Sequence, residues 1–368
     1  MSEKNKWQFE LEEYIRQGEP SQTVKSEVWQ TAIGLQQVDG LTTSKYLLEN
    51  AKDHIEGKID IKEVQKRIYS YYEERADRKD IEDGTMEADI VSSRIAELLG
   101  EKAFQFSSVE YMNIHRRLFE GVFDHAGQMR PYNITKKEWV LNGNTVIYAS
   151  WNSIKDTLDY DFQTEKQFSY QGLSMSETVK HLAKFTSDIW QIHPFCEGNT
   201  RTTAVFLIKY MKTFGFEVNN DAFQKYSWYF RNALVRANYN DLKNGIHATT
   251  EYLELFFSNL LLGTKYELKN RQLHIDYSAD LEKQVIQSAK EDSLKSKNCT
   301  LNCTLDELNI LKILVEEPKI TQAQLAERLN KSLRTIKNNM AKLKEKGYIK
   351  RADGRRFGHW EVLVELLF

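Results

Sequence analysis

The sequence predicts a mainly α-helical protein whose helical core carries one β-hairpin. Only 17 glycines and 4 prolines punctuate 368 residues, too few for a loop-rich all-β chain. Apolar side chains recur at spacings of three and four in several long segments, the period of a helix face. Strand patterns gather around two short turn signals, Asn142-Gly143 and Asp353-Gly354.

Composition narrows the class further. Apolar residues make up 41% and charged residues 28% of the chain, which is globular and excludes a mostly disordered protein. No apolar run reaches the roughly 18 residues of a membrane-spanning helix. The first residues, MSEKNKWQFELEEY, lack the apolar core of a signal peptide. Three cysteines, Cys196, Cys299 and Cys303, suit a reducing compartment. A cytoplasmic protein without a membrane partner is expected. Cys299 and Cys303 offer two thiols with no adjacent histidine, too few for a zinc site.

The net charge of −2 conceals a division. Residues 304–368 hold 13 basic and 9 acidic side chains, a net of +4, and the rest of the chain carries −6. Lys331 to Arg356 alone carries a net of +8, a reason to consider a polyanion partner for the tail. Four segments result: a helical, acidic region over 1–85, an apolar-rich core over 86–289, a polar linker over 290–303 and a basic domain over 304–368.

In the first segment, Trp29 to Tyr72 reads as two helical patterns with turns at Asp39-Gly40 and Glu56-Gly57. Asp60 with Glu63 has capping-box spacing. In the core, Asn142-Gly143 separates Trp139, Val140 and Leu141 from Val146, Ile147 and Tyr148, a hairpin signature. Val179, Leu182, Phe185, Ile189 and Ile192 then line one face of a helix that Pro194 should stop near His193. A second helix follows through Ala204, Leu207, Ile208, Met211 and Phe214, with Gly215 as its stop.

The loop between these two helices concentrates chemistry. Gly198 permits close backbone approach, and Asn199 is a good N-cap. The next helix aims free N–H groups and its positive dipole end at the loop, which makes an anion site. Arg201 opposes the dipole there unless an anion is bound. His193 fits a general base and Glu197 a ligand for a hard cation. Together they point to phosphate chemistry.

The run HPFCEGNTR, His193 to Arg201, resembles the active-site loop of the Fic family, whose pattern is H-P-F-x-D/E-G-N-G-R-x-x-R. Upstream, IHRRLFEGVFDHAGQMRPYNI resembles that family's first core helix and its A-G-x-x-R turn, here Ala126, Gly127 and Arg130. The resemblance covers about 86–265. It implies a Fic-type helical core with a hairpin flap that pairs with the target's backbone through Leu141, Asn142, Gly143 and Asn144. It implies transfer of AMP from ATP to a Ser, Thr or Tyr hydroxyl of a target protein, with His193 as base and Glu197 holding Mg²⁺. Gly198, Asn199, Thr200 and Arg201 would bind the nucleotide's phosphates. Thr200 stands where the family has glycine, and Ala204 where it has the last arginine. The donor is therefore left open, another nucleotide or a phosphocholine conjugate included. Arg231 and Arg236 are candidate replacements for the missing guanidinium, and Tyr229 and Asn232 candidate contacts to the base.

The first segment is similar to small antitoxins that restrain Fic toxins through S/T-x-x-x-E-G. The aligned run here is Leu35 to Gly40, with Asp39 in place of the glutamate. Relatives pair that glutamate with the last motif arginine, here Ala204. Ser93 to Glu97 offers a second match to S-x-x-x-E. Asp39 and Glu97 are the candidate inhibitory residues.

In the tail, Leu308, Leu311, Ile313 and Leu314 mark one helix. Thr321 caps a second, with Leu325 and Leu329 inward. Ser332 or Asn330 caps a third, with Leu333, Ile336, Met340 and Leu343 inward. Gly347, a short strand, a turn and another strand follow. This order resembles a winged helix-turn-helix. Arg334, Lys337, Asn338 and Lys342 on the third helix, with Arg355 and Arg356 in the wing, are candidate DNA contacts. The alternative to a working transferase is a DNA-binding regulator whose core senses nucleotide. A homodimer is left open.

Overall fold

The computed structural model describes residues 20–74, 83–216, 218, 221–277, 302–353, 358–364 and 366. The chain divides into two compact units. One comprises residues 1–167, 183–261 and 267–277, and the other 168–182, 262–266 and 278–368. The architecture is mainly helical, as expected.

In order, the helices are α1 (Pro20–Gly34), α2 (Lys45–Ile55), α3 (Ile61–Glu73), α4 (Asp83–Gly100), α5 (Ser108–Phe119), α6 (Ile154–Gln167), α7 (Met175–Ile192), α8 (Asn199–Thr213), α9 (Asp221–Ala237) and α10 (Glu251–Leu262). Short 3-10 turns at Leu35–Asp39 and Trp139–Leu141 interrupt the connections. Gly40 and Gly57 close the turns at their predicted places with left-handed backbone. The Asp60 side chain accepts the Glu63 N–H at the start of α3.

The first unit is built around α8, in which every residue from Asn199 to Met211 is buried. A helix buried all round must satisfy its polar groups locally. Thr202 and Thr203 hydroxyls donate back to the Gly198 and Asn199 carbonyls at 2.9 Å each. Lys209 runs to the end of α4, where its ammonium donates to the Leu98 and Glu101 carbonyls at 2.6 and 3.0 Å. A cation at a helix C-terminus is favourable. Phe106, Phe162, Phe206 and Tyr210 form an aromatic cluster with centroids mostly 4.4–5.7 Å apart.

The N-terminal helices pack onto this core. Helix α1 lies against α4 and α9. At Gly34 the crossing is so close that a Cβ would stand 2.5 Å from the Gln224 Cα. Buried Asp89 on α4 ties two further helices to it. Its carboxylate accepts the Ser44 N–H at 2.8 Å, beside the Ser44 hydroxyl that caps α2, and the Tyr72 hydroxyl at 2.7 Å from α3.

The second unit contains α11 (Leu305–Glu316), α12 (Gln322–Arg328), α13 (Leu333–Glu345) and a two-stranded antiparallel sheet, β1 (Ile349–Ala352) and β2 (His359–Val362). Ile349 faces Val362 and Ala352 faces His359 in the ladder. Thr304 and Thr321 form reciprocal capping boxes with Glu307 and Gln324, and Ser332 caps α13. Leu333 is the exception to the predicted inward face. It is 42% exposed, because it occupies the first helical position, ahead of the buried Ile336, Met340 and Leu343 stripe. Arg334, Lys337, Asn338 and Lys342 are exposed on α13. Arg355 and Arg356 and most of the proposed linker, residues 290–301, lie outside the described residues.

Candidate active site

The site is the loop between α7 and α8. His193 follows the last residue of α7, and its backbone is left-handed at φ 50°, a conformation that needs support for a non-glycine residue. Arg130 supplies it. This buried guanidinium donates to the His193 carbonyl at 2.7 Å, to the Tyr132 carbonyl at 2.6 Å and to the carbonyls of Ala149 and Ile192. Its own backbone N–H donates to the Pro194 carbonyl at 2.8 Å. One side chain thus fixes the end of α7, the start of the loop and both ends of the flap segment.

The His193 ring is itself oriented. Nδ1 lies 3.2 Å from the Trp190 carbonyl, which can only accept, so Nδ1 carries the proton and Nε2 is left with a free lone pair. Tyr148 packs on the ring at 4.3 Å between centroids, and Trp190 meets it edge-on. Burial, aided by the positive charge of Lys136, holds its pKa well below the ordinary imidazole value. The ring is neutral at pH 7.

The rest of the loop is closed from within. Asn199 was expected to cap α8, but Gly198 occupies that position. The Asn199 amide instead makes a two-way bridge across the loop, accepting the Phe195 N–H at 3.0 Å and donating to the Phe195 carbonyl at 2.8 Å. Gly198 is required by two observations: its φ is +74°, and a Cβ there would stand 2.4 Å from the Phe119 ring. The Thr200 hydroxyl takes the Trp190 indole N–H at 3.0 Å. Its side chain is spent on the scaffold, and the N–H groups of the first turn of α8 are left without intrahelical acceptors.

Behind the loop, His115 stacks on Phe195 with ring centroids 3.6 Å apart. Its Nδ1 accepts the Gly127 N–H at 2.8 Å, so Nε2 donates to the Glu197 carbonyl at 3.0 Å. Burial pushes its pKa down to about 3. The Glu197 carboxylate points outward, 55% exposed, and pairs with Lys136 at 3.0 Å.

Arg201 is 2% exposed and surrounded. Its guanidinium pairs with Asp39 at 2.7 Å and Glu87 at 2.6 Å, donates to the Gln36 side chain at 3.0 Å, and lies over Phe119 at 4.8 Å. Asp39 reaches the motif, and the arginine it meets is Arg201, since Ala204 offers no charge. Glu97 is not brought to the motif. Its carboxylate is taken by Lys62 and Gln65 on α3.

The flap reverses at Asn142-Gly143, both left-handed, with the Glu138 N–H donating to the Asn144 carbonyl at 2.9 Å. The arms do not form the predicted paired strands. The Val140 carbonyl is taken by the Ile275 N–H, and residues 139–141 tighten into a 3-10 turn. Buried Glu138 is anchored by a two-pronged bond to Arg231. Leu141 is fully buried and cannot touch a target, whereas Gly143 and Asn144 are exposed. Asn142 is exposed and bonds Asp276 at 2.7 Å.

Neither spare arginine replaces the missing one. Arg231 is committed to Glu138, and Arg236 donates to the Leu273 carbonyl at 2.7 Å. Tyr229 is buried, and Asn232 donates to Asn270 at 2.7 Å. Sequence reasoning missed Gln36, Glu87, His115 and Lys136. Only His115 carried a signal, through its place beside the A-G-x-x-R turn.

A neutral, oriented histidine stands next to a glycine-opened helix N-terminus. Comparisons with known proteins place it more closely. Residues 105–211 match the model of the Fic/DOC family, and 307–350 that of a winged helix-turn-helix, DNA-binding. The Fic/DOC-type segment thus precedes the winged helix-turn-helix segment in the chain. It is 29% identical over 153 residues to a probable protein adenylyltransferase, y4lH, of Sinorhizobium fredii, covering 41% of this chain and 73% of that one. It is 25% identical over 115 residues to the probable protein adenylyltransferase Fic of Escherichia coli, covering 31% and 54%. A solved Fic family protein from Desulfovibrio desulfuricans aligns over 99% of this chain and 97% of its own, at 13% identity and a TM-score of 0.44. No helix among the described residues is long and apolar enough to cross a membrane.

Proposed function

We propose that the protein transfers AMP from ATP to a hydroxyl of a target protein, under restraint by its own N-terminal helices. The observation that carries this reading is the His193 ring, neutral and hydrogen-bonded through Nδ1 to Trp190. The target oxygen attacks the α-phosphorus while Nε2 takes its proton. The new P–O ester forms, the bond to the β-phosphate breaks, and pyrophosphate leaves with the electron pair. The first turn of α8, opened by Gly198, offers N–H groups and a positive dipole end to the phosphates.

The donor set fits Mg²⁺, which commonly binds one or two carboxylates and completes its shell with substrate phosphate and water. Glu197 is such a carboxylate. Bound there, the ion would neutralise phosphate charge.

The restraint rests on Arg201. A guanidinium already paired with Asp39 and Glu87 is withheld from a phosphate. The exposed basic face of α13 supports DNA as a partner of the winged domain, and cytoplasmic location follows from that reading.

Intact-mass spectrometry of the full chain with ATP and Mg²⁺ tests the transfer. The wild type should gain the mass of AMP on itself or on an added target, and His193→Ala should fold and gain nothing. Equal labelling by His193→Ala would end this mechanism. For the tail, duplex DNA affinity should fall steeply with salt, and affinity independent of salt would count against a phosphate-contacting surface.

A further inference from the structure

The motif departs from its family by one cation. Ala204 is buried and neutral where the pattern carries arginine, Arg201 is occupied by carboxylates, and Arg231 and Arg236 are committed elsewhere. Lys136 is a further positive charge directed at the loop. Lys136 lies in the flap segment, where its backbone N–H donates to the Thr145 hydroxyl at 3.1 Å. Its ammonium sits 3.0 Å from Glu197 Oε2, and its side chain is 27% exposed. Lys136 is also the strongest charge acting on the His193 ring, ahead of Arg231 and Arg130. The ammonium thus stands where influence over the proposed base and the proposed cation ligand overlaps. In the transfer reaction the α-phosphoryl group must occupy that space, because the hydroxyl deprotonated at His193 attacks it.

From the pairing of Lys136 with Glu197 beside His193, we infer that Lys136 is a further nucleotide-binding residue, which delivers its ammonium to the α-phosphoryl oxygens. The inference rests on the transferase reading above and adds a cation at the α-phosphate. Lysine suits the task as a point charge on a flexible stem with three donors. The pair with Glu197 is partly exposed and of modest strength, so a phosphate with its own cation can exchange partners with both groups. A purely structural lysine would do no more than pin the flap to the loop.

Calorimetric binding of AMP and of adenosine to the full chain separates the two roles, since the ligands differ in the α-phosphate alone. Binding of ATP with Mg²⁺ is measured in parallel. Lys136→Met should weaken AMP by about tenfold and leave adenosine unchanged, the scale of one charge-assisted contact. Lys136→Arg should restore most of the loss, and the Lys136→Met melting temperature should match the wild type. An AMP-to-adenosine affinity ratio in Lys136→Met equal to the wild type would overturn the assignment and leave the transferase reading standing. A wild type that binds neither AMP nor ATP would overturn the transferase reading, and this inference with it.

Discussion

The two ends of the motif loop are held by opposite kinds of partner. At the His193 end, Arg130 donates to four backbone carbonyls. At the α8 end, Arg201 is gripped by the side chains of Gln36, Asp39 and Glu87. Carbonyls of the loop and flap belong to the scaffold. The carboxylates belong to α4 and the turn after α1, outside the residues that match the family model, and in the proposed reaction a phosphate competes with them. Under that proposal the same residue type serves as a fixture at one end and as a restrained phosphate contact at the other.

The sharpest way to break this comparison is to remove the fixture. Arg130→Met leaves four carbonyls without their donor, those of Ile192 and His193 buried with it. Stability should fall by about 3 kcal/mol or more. Surviving protein should lose at least about 100-fold in transfer, since the left-handed His193 backbone no longer has its support. Denaturant unfolding together with AMP incorporation checks both. Wild-type stability in Arg130→Met would show that the carbonyls are satisfied without the guanidinium.

A smaller effect of opposite sign belongs to the other end. Asp39→Ala combined with Glu87→Ala should free Arg201 and raise transfer by about tenfold, the scale of a typical coupling energy. The fold should persist, because the guanidinium still lies over Phe119 and bonds Gln36. Initial rates of AMP incorporation at subsaturating ATP decide it. A rate at or below wild type would assign the two carboxylates to the scaffold, and Arg201 would then be a second fixture.

The sequence made the loop legible because its roles are local. Helix stop, glycine and histidine lie within nine residues, and the structure places them as expected. Asp39 was legible as a candidate, but its partner was not. The pairing depends on how α1 crosses α9 at Gly34, a packing fact with no local signature. Glu87, Gln36 and Lys136 come from three separate segments and meet the loop only in three dimensions. The flap failed for a related reason. The Asn142-Gly143 turn formed, but Ile275, more than a hundred residues later, took the carbonyl that a strand ladder needed. In the tail, the Thr321 cap was legible because its partner Gln324 lies three residues on, and the Thr304 box with Glu307, which was not read from the sequence, has the same spacing.

The gentlest perturbation is pH, and it sharpens the comparison because each end contains a buried neutral histidine. His193 lies at the Arg130 end, and His115 holds the Glu197 carbonyl near the other. The pKa of each is lowered by burial, His115 to about 3. Below the unfolded value of 6.5 the unfolded chain binds protons that the folded chain refuses. Stability is therefore full above about pH 7 and declines as pH falls, by up to about 1.4 kcal/mol per unit for each fully separated histidine. His54, lowered to about 4, adds a smaller share because it is less buried. Carboxylates held below their ordinary values, such as Glu101 beside Arg117, act in the same direction only below about pH 4.5. Half-buried Asp161, its pKa raised by burial to about 6, and buried Asp89, raised likewise, oppose the histidines between pH 6.5 and 4.5, because there the folded chain binds the extra proton. Urea midpoints across that window therefore isolate each ring by comparing the wild type with its histidine variants. His115→Gln should flatten the slope by about one histidine's worth, with His193→Ala contributing a similar reduction. A slope unchanged by His193→Ala would mean that this ring is protonated in the folded state. The tautomer assigned to His193, and the base it provides, would then be wrong.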